Sequence, residues 1–328
     1  MRKVDAYPDI NPFNDKTSGR VIGWWSGGVA SAVACKLALD RWGDDVVLVF
    51  CDTGIEHPET YRFMKDYEKA LGVKVHVIKS ERFTEPEQVW RKYKGLNFAT
   101  GAPCSSTLKK EPRIKFQNLK SDFCQIFGFD YCDKEIRRAQ NMLVNNPDLN
   151  PVFPLIVDKI DRDEIFRFIK RLKIDRPSTY NNFLNNNCIG ADDSPKGGCV
   201  QGGIGYWQKM KTLYPKKFEY MAKMEHEISS SKGEPVTICQ DQRNRTRGSR
   251  LFLKPCPGFP DIEDISVIKG KKPTTYFECN GFCSTTENSS MERNPKMSQK
   301  RIVSKVIKEE KVPLEKLVPF QGEAKKLT

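Results

Sequence analysis

The stretch Trp25-Ser26-Gly27-Gly28-Val29-Ala30-Ser31 joins an apolar run at 20–26 to a segment of helical periodicity at 29–42. At a strand-to-helix turn of this kind, two glycines let the backbone approach an anion closely, and Ser26 and Ser31 add hydroxyl donors. The free N–H groups of the first helical turn, Val29 onward, are expected to complete the cradle. The residues match neither the Gly-x-Gly-x-x-Gly of dinucleotide binders nor the Gly-x-x-x-x-Gly-Lys-Ser/Thr of phosphate-binding loops. A phosphate site of another type is therefore weighed against an ordinary glycine turn.

Working outward, apolar strand patterns at 46–51, 73–78 and 123–127 alternate with helical patterns at 58–71, 107–119 and 134–144. A further helix at 161–172 opens with Asp161 and Glu164 in capping-box spacing and keeps Ile165, Phe168, Ile169 and Leu172 on one face. Such alternation predicts an α/β fold: a doubly wound, mostly parallel sheet covered on both faces. That nucleotide-binding domain is assigned to 1–175. A Cys-rich, irregular C-terminal domain follows at 176–288, with one helix near 216–228, and a basic tail closes the chain at 289–328.

The 328 residues carry 55 Lys and Arg against 42 Asp and Glu, a net charge of +13, which brings polyanions into consideration as partners. Arg243, Arg245, Arg247 and Arg250 crowd one Asn- and Gly-containing loop that suits backbone contact with tRNA or DNA, with a solvated loop as the alternative. Tyr206 and Trp207 are candidates for base stacking or, more simply, for the core. The longest apolar run, at 46–51, is far below the ~18 residues of a membrane span, and Met1-Arg2-Lys3-Val4-Asp5 leads into polar residues. The expectation is a cytoplasmic protein with no membrane partner. Eleven cysteines in a reducing compartment then read as core residues, catalytic thiols or metal ligands rather than a disulfide framework. Cys35, Cys51, Cys124 and Cys132 belong with apolar segments. Cys104, Cys188, Cys199, Cys239, Cys256, Cys279 and Cys283 lie in Gly-, Pro- and Asn-rich surroundings.

Ser26-Gly27-Gly28-Val29-Ala30-Ser31 resembles the PP-loop of the ATP pyrophosphatase superfamily. Asp52-Thr53-Gly54 with His57-Pro58-Glu59-Thr60 is similar to a segment of its phosphoadenosine phosphosulfate reductase-like branch. Cys104 with Lys109 and Pro112, the 128–138 stretch with Arg137 and Arg138, and Pro154-Leu155-Ile156 with Lys159 and Asp161 agree in order with the same branch. The chain departs from it in places. Ala30 stands where ATP-splitting loops often carry Asp, no His follows Cys279 or Cys283, and Ser105 follows Cys104 where cluster-bearing reductases have a second Cys. The 199–207 stretch resembles reductase-like proteins common in phages and mobile elements.

The resemblance implies an adenine nucleotide, ATP or phosphoadenosine phosphosulfate, held by Ser26, Gly27, Gly28, Val29, Ser31, Asp52, Thr53, Gly54, Lys110 and Arg137. Asp52 is a candidate for orienting a ribose or holding Mg²⁺, with a helix N-cap as the plainer reading. Lys109 and Arg138 would neutralise charge as an acceptor oxygen attacks the α-phosphate and pyrophosphate leaves. A sulfur donor would then displace AMP. In the alternative, a sulfonucleotide reductase, Cys279 or Cys283 is the nucleophile and a thioredoxin-like protein the reductant. A third reading is a non-catalytic nucleotide- or nucleic-acid-binding module. Cys104, Cys188 and Cys199 are candidate ligands of a [4Fe–4S] cluster or, as a second choice, zinc.

Overall fold

A computed structural model describes residues 21–98, 101–117, 124–145, 151–182, 188–241 and 249–270. The chain runs β1 (Val21–Trp24), α1 (Val29–Trp42), β2 (Val46–Asp52), α2 (Pro58–Leu71) and β3 (Val75–Lys79). Next come α3 (Pro86–Tyr93), α4 (Pro103–Ser105), a π-helical segment Ser106–Lys110 and α5 (Glu111–Gln117). They lead to β4 (Cys124–Ile126), α6 (Asp133–Asn145), β5 (Pro151–Val152), α7 (Pro154–Val157) and α8 (Arg162–Arg171). Then follow a 3-10 turn Ser178–Asn181, α9 (Ile204–Leu213), α10 (Pro215–Lys232), β6 (Cys239–Asp241) and β7 (Ser249–Leu251).

The first five strands form one parallel sheet in the order β3-β2-β1-β4-β5; the parallel sheet follows the alternating pattern, whereas β5 carries no strand pattern of its own. The chain winds outward from β1 to β3 and then crosses back to lay β4 on the other side of β1. The winding direction therefore reverses between β1 and β4, where doubly wound sheets open a crevice at their carboxyl ends. Every residue of β1 is buried, the continuous apolar run expected of a strand covered on both faces. On one face Val33 of α1, Phe63 and Tyr67 of α2, and Ile165 and Ile169 of α8 share a core around Trp25, which stacks on Phe63 at 5.7 Å. On the other, Phe116 of α5 and Ala139 and Met142 of α6 pack with Trp24, Phe127 and Phe153.

The termini of the elements follow local chemistry. Asp161 caps α8 by accepting from the Glu164 amide at 2.8 Å. Left-handed Gly72 ends α2, and the Val73 amide still donates to Glu68, so β3 begins at Val75 rather than at 73. The helix expected from 107 starts earlier, at Pro103, and passes through the π turn, and residues 118–119 lie outside those described. Two helices escape the sequence reading. α3 is a short helix that buries only Pro86, Val89 and Trp90, and α9 follows a Gly-rich loop and buries four consecutive residues, Ile204–Trp207, so its pattern is not a helical stripe.

Beyond 175, α9 and α10 pack with β6 and β7 around Trp207, Phe218 and Met221, and Trp90, Leu96 and Ala102 join the same core. Tyr206 and Trp207 are both buried in it, so neither ring is open to a base. Residues 271–328, with Cys279, Cys283 and the basic tail, and Arg243, Arg245 and Arg247 lie outside the described residues. Arg250 donates to the Pro235 carbonyl.

One buried carboxyl ties this core together. Glu225 of α10 accepts from the Ile238 amide through Oε1 and from the Leu253 amide through Oε2, both at 2.7 Å. Burial pushes its carboxyl up to about 8, with the two amides holding it back. An unfolded Glu titrates near ~4.3. Between those values the folded chain keeps a proton that the unfolded chain has lost, so stability falls as pH rises through the window and levels off above it. Chemical denaturation at pH 5 and pH 8 is expected to show this loss in the parent and not in Glu225→Gln. Parallel pH slopes for the two proteins would mean that Glu225 is ionised in the folded state.

Candidate nucleotide site

The turn after β1 is held from three sides. The Trp25 amide donates to Val49 of β2 at 2.9 Å, which keeps the chain on the sheet for one more residue. Gly27 then takes φ 86°, and a Cβ there would lie 2.7 Å from Thr60 Cγ2 of α2. Gly28 is extended and caps α1 with no side-chain bond. Gly128, just after β4, presses on the first turn of α1: a Cβ would lie 2.4 Å from Ser31 Cα and 2.5 Å from the Ser31 nitrogen. Both glycines are therefore demanded by contact, Gly27 also by its left-handed backbone.

Within the turn, Ser31 Oγ donates to the Gly28 carbonyl at 2.9 Å and accepts from the Ser26 amide and Ser26 Oγ at 3.0 Å each. The two hydroxyls predicted to face an anion are thus brought together at the N-terminal, positive end of a fourteen-residue helix. The Val29 amide is already used: it donates to Tyr180 Oη at 3.1 Å. The predicted set of free N–H groups is corrected at this position, because a tyrosine 151 residues away reaches back to it. No local pattern signals that contact.

Asp52 ends β2 in a buried position. Its Oδ1 accepts from the Gly54 amide at 2.8 Å and from Tyr61 Oη at 2.9 Å, while Oδ2 pairs with Lys79 at 3.0 Å. Burial and the adjacent Asp52 charge push the Tyr61 phenol well above its usual range, so it remains a donor. Asp52 is not the cap of α2. His57 is, with Nδ1 accepting from the Glu59 amide at 3.1 Å. The residues around Asp52 do not fit Mg²⁺, because both oxygens already hold protein donors and one carries a lysine charge.

Behind this turn lies a buried polar cluster that the sequence reading saw only in part. Thr53 donates to Glu56 Oε1 at 2.8 Å, the Cys188 amide donates to Glu56 Oε2 at 3.1 Å, and Lys109 stands 3.7 Å from Oε1. Burial pushes the Glu56 carboxyl up, and Lys109, Thr53 and the Cys188 amide oppose that rise. Lys109 sits in the π-helical segment and is itself buried, a geometry often met at functional sites. Burial pushes the nearby Cys51 thiol up to about 12 despite Arg113 and Lys109. Glu56 carried no motif of its own; its only signal was its place between Asp52-Thr53-Gly54 and His57.

The remaining predicted positions divide. Arg138 lies 4.6 Å over the Phe129 ring and 3.2 Å from Glu135, beside the loop that follows β4. Arg137 is exposed and donates to its own helix at Asp133. Lys110 is half-buried and Gly54 is exposed, with φ 81°. Among the described residues no three Cys, His, Asp or Glu side chains are gathered to hold a metal ion, and the expected cluster or zinc on Cys104, Cys188 and Cys199 gains no support from the structure. Cys188 Sγ lies 3.7 Å from Thr53 Oγ1, the Cys199 amide donates to Tyr206 Oη at 3.2 Å, and Cys104 packs against the C-terminal core that contains Cys188 and Cys199.

With this geometry in place, comparison with known proteins is informative. An uncharacterized protein of Methanocaldococcus jannaschii is 33% identical over 118 residues, covering 35% of this chain and 23% of the relative. A glutamine-hydrolyzing GMP synthase of Leifsonia xyli is 42% identical over 65 residues, covering 20% of this chain and 13% of that protein. The chain thus spans less than a quarter of the length of these curated relatives. A crystal structure of phosphoadenylyl-sulfate reductase from Candida auris, in complex with phosphate, aligns at 13% identity and a TM-score of 0.36, over 49% of this chain and 77% of the other. Residues 20–185, about half of the chain, match the phosphoadenosine phosphosulfate reductase domain, and the chain belongs to that family.

Proposed function

We propose that the chain is an enzyme that binds an adenine nucleotide with its phosphates at residues 26–31 and activates an acceptor by adenylylation for sulfur transfer. The observation that carries this reading is the turn after β1. It sits at the reversal point of the sheet, pairs the Ser26 and Ser31 hydroxyls at the positive end of α1, and is narrowed to glycine at positions 27 and 128 by direct contact. In the proposed reaction an acceptor oxygen attacks the α-phosphate of ATP, and the α–β bridging bond breaks. Pyrophosphate leaves toward the helix terminus with its charge met by backbone amides and the two hydroxyls. The terminal sulfur of a persulfide donor then displaces AMP, and a second thiol cleaves the resulting mixed disulfide, which leaves the sulfur on the acceptor and a disulfide on the donor.

Lys109 and Arg138 are assigned charge-neutralising roles. Lys109 belongs to the π-helical segment and stands beside Glu56, and Arg138 belongs to α6 and stacks on Phe129 after the Gly128 loop. The net charge of +13 supports a nucleic-acid acceptor such as tRNA or DNA. A second reading, sulfonucleotide reduction with Cys279 or Cys283 as nucleophile and a thioredoxin-like reductant, is favoured by the family itself.

Gly27→Ala is expected to weaken ATP binding at least tenfold, ~1.4 kcal/mol, because the added methyl meets Thr60 and the left-handed backbone rejects it. Calorimetry on the folded variant checks this, and parent-like affinity would remove the loop from the site. Turnover separates the two chemistries. Incubation with radiolabelled ATP or phosphoadenosine phosphosulfate, with and without tRNA or DNA, is expected to yield AMP and pyrophosphate. Sulfite release would instead establish reduction, and binding without either product would overturn the enzymatic reading.

A further inference from the structure

Residues 188–198 form a strap that doubles back on itself, with the Gly198 amide donating to the Cys188 carbonyl at 2.8 Å. Its backbone takes left-handed angles at Cys188 (φ 56°), Gly190 (φ 75°), Gly197 (φ 143°) and Gly198 (φ 113°). A Cβ at Gly197 would lie 1.7 Å from the Ile189 carbonyl oxygen, so the fold-back is as tight as a backbone allows. A non-glycine residue such as Cys188 keeps such an angle only where its surroundings impose it.

Those surroundings act from two sides. Toward the sheet, the strap seals the turn that follows β2. The Gly190 amide donates to the Ile55 carbonyl at 3.0 Å, the Cys188 amide to Glu56 at 3.1 Å, and Asp192 meets His57 Nε2 at 3.2 Å. Residues 55, 56 and 57 directly follow Asp52-Thr53-Gly54. Away from the sheet, Lys217 of α10 extends its ammonium into the curl of the strap. It donates to the carbonyls of Ala191, Ser194 (2.8 Å) and Lys196 (3.4 Å), and the residue is only 1% exposed. An ammonium has three donors, and three inward-turned carbonyls of one loop receive them. Removing the charge would leave those carbonyls crowded and unsatisfied inside the protein, where an unmade hydrogen bond is costly.

We propose that Lys217 is a positioning residue: it locks the 188–198 strap in the shape that walls the nucleotide site beside Thr53 and Glu56. This rests on the nucleotide reading above for the identity of the site, and on the strap geometry for the role of Lys217. It places a residue of the C-terminal helices, outside the 20–185 family match, in control of the site's wall.

The test uses the full chain with Lys217→Met, of similar length and no charge, and Lys217→Arg, which restores charge and donors. Alkylation of Cys188 by N-ethylmaleimide, followed by peptide mass spectrometry, reads closure of the strap, because Cys188 is buried in the parent. Calorimetric ATP binding reads the site. The expected result is Cys188 alkylation at least tenfold faster in Lys217→Met, ATP affinity down at least tenfold, and partial recovery of both in Lys217→Arg. Alkylation as slow as in the parent would overturn the locking role, and fast alkylation with parent-like ATP affinity would overturn the wall. If the parent itself binds no ATP, the nucleotide reading fails while the alkylation rates still decide what Lys217 does. Should Lys217→Met not fold, Lys217→Gln, which keeps amide donors without the charge, is read the same way.

Discussion

The backbone of the loop after β4 lies directly on the first turn of α1, and the architecture of the site depends on that contact. It requires position 128 to have no side chain, since a Cβ would sit 2.5 Å from the Ser31 nitrogen and 2.7 Å from the Ala30 carbonyl carbon. With the two backbones in touch, the N-terminus of α1 cannot rotate or slide, and Ser26 and Ser31 keep their hydroxyls 3.0 Å apart. The same contact brings the Phe129 and Arg138 side of the crevice against the turn after β1. A doubly wound sheet supplies the crevice by topology, and the missing side chain makes it narrow.

The buried ionisable groups of this protein are tied to loops rather than to the hydrophobic layers. Glu56 holds the turn after β2 through Thr53 and the amide of Cys188, and Lys217 holds the strap through three carbonyls. Glu225 likewise gathers two amides of the C-terminal segments. Irregular backbone cannot satisfy its own N–H and C=O groups as helices and strands do, so a buried carboxyl or ammonium takes over. Such groups add little net stability, since desolvation offsets much of their gain, but breaking one leaves a buried charge or carbonyl without compensation. They therefore select one loop conformation rather than make the fold more stable.

This division explains which residues could be recognised beforehand. Ser26, Gly27, Gly28 and Ser31 were legible because their chemistry is local: a glycine-rich turn between a strand pattern and a helix pattern announces itself within seven residues. Asp161 and Glu164 announced the start of α8 for the same reason. Tyr180, Glu56 and Lys217 were not legible. Each acts through a partner distant in the chain or through backbone groups, and neither leaves a period or a motif. Cys104, Cys188 and Cys199 share a type and a Gly-rich setting, and the fold places all three in or against the C-terminal core. Residue type states what a side chain is able to bind, whereas the tertiary path decides what it meets.

By itself the sequence determined the parallel α/β sheet, the ends of several of its helices and the glycine-rich turn after β1, because hydrophobic period, capping and glycine requirements act over a few residues. Only the tertiary structure decided that Asp52 is engaged by Gly54, Tyr61 and Lys79, that the Val29 amide belongs to Tyr180, and that a strap fastened by Lys217 closes over Glu56. Those pairings join segments far apart in the chain, and their geometry comes from packing whole elements together, which no short window of residues contains.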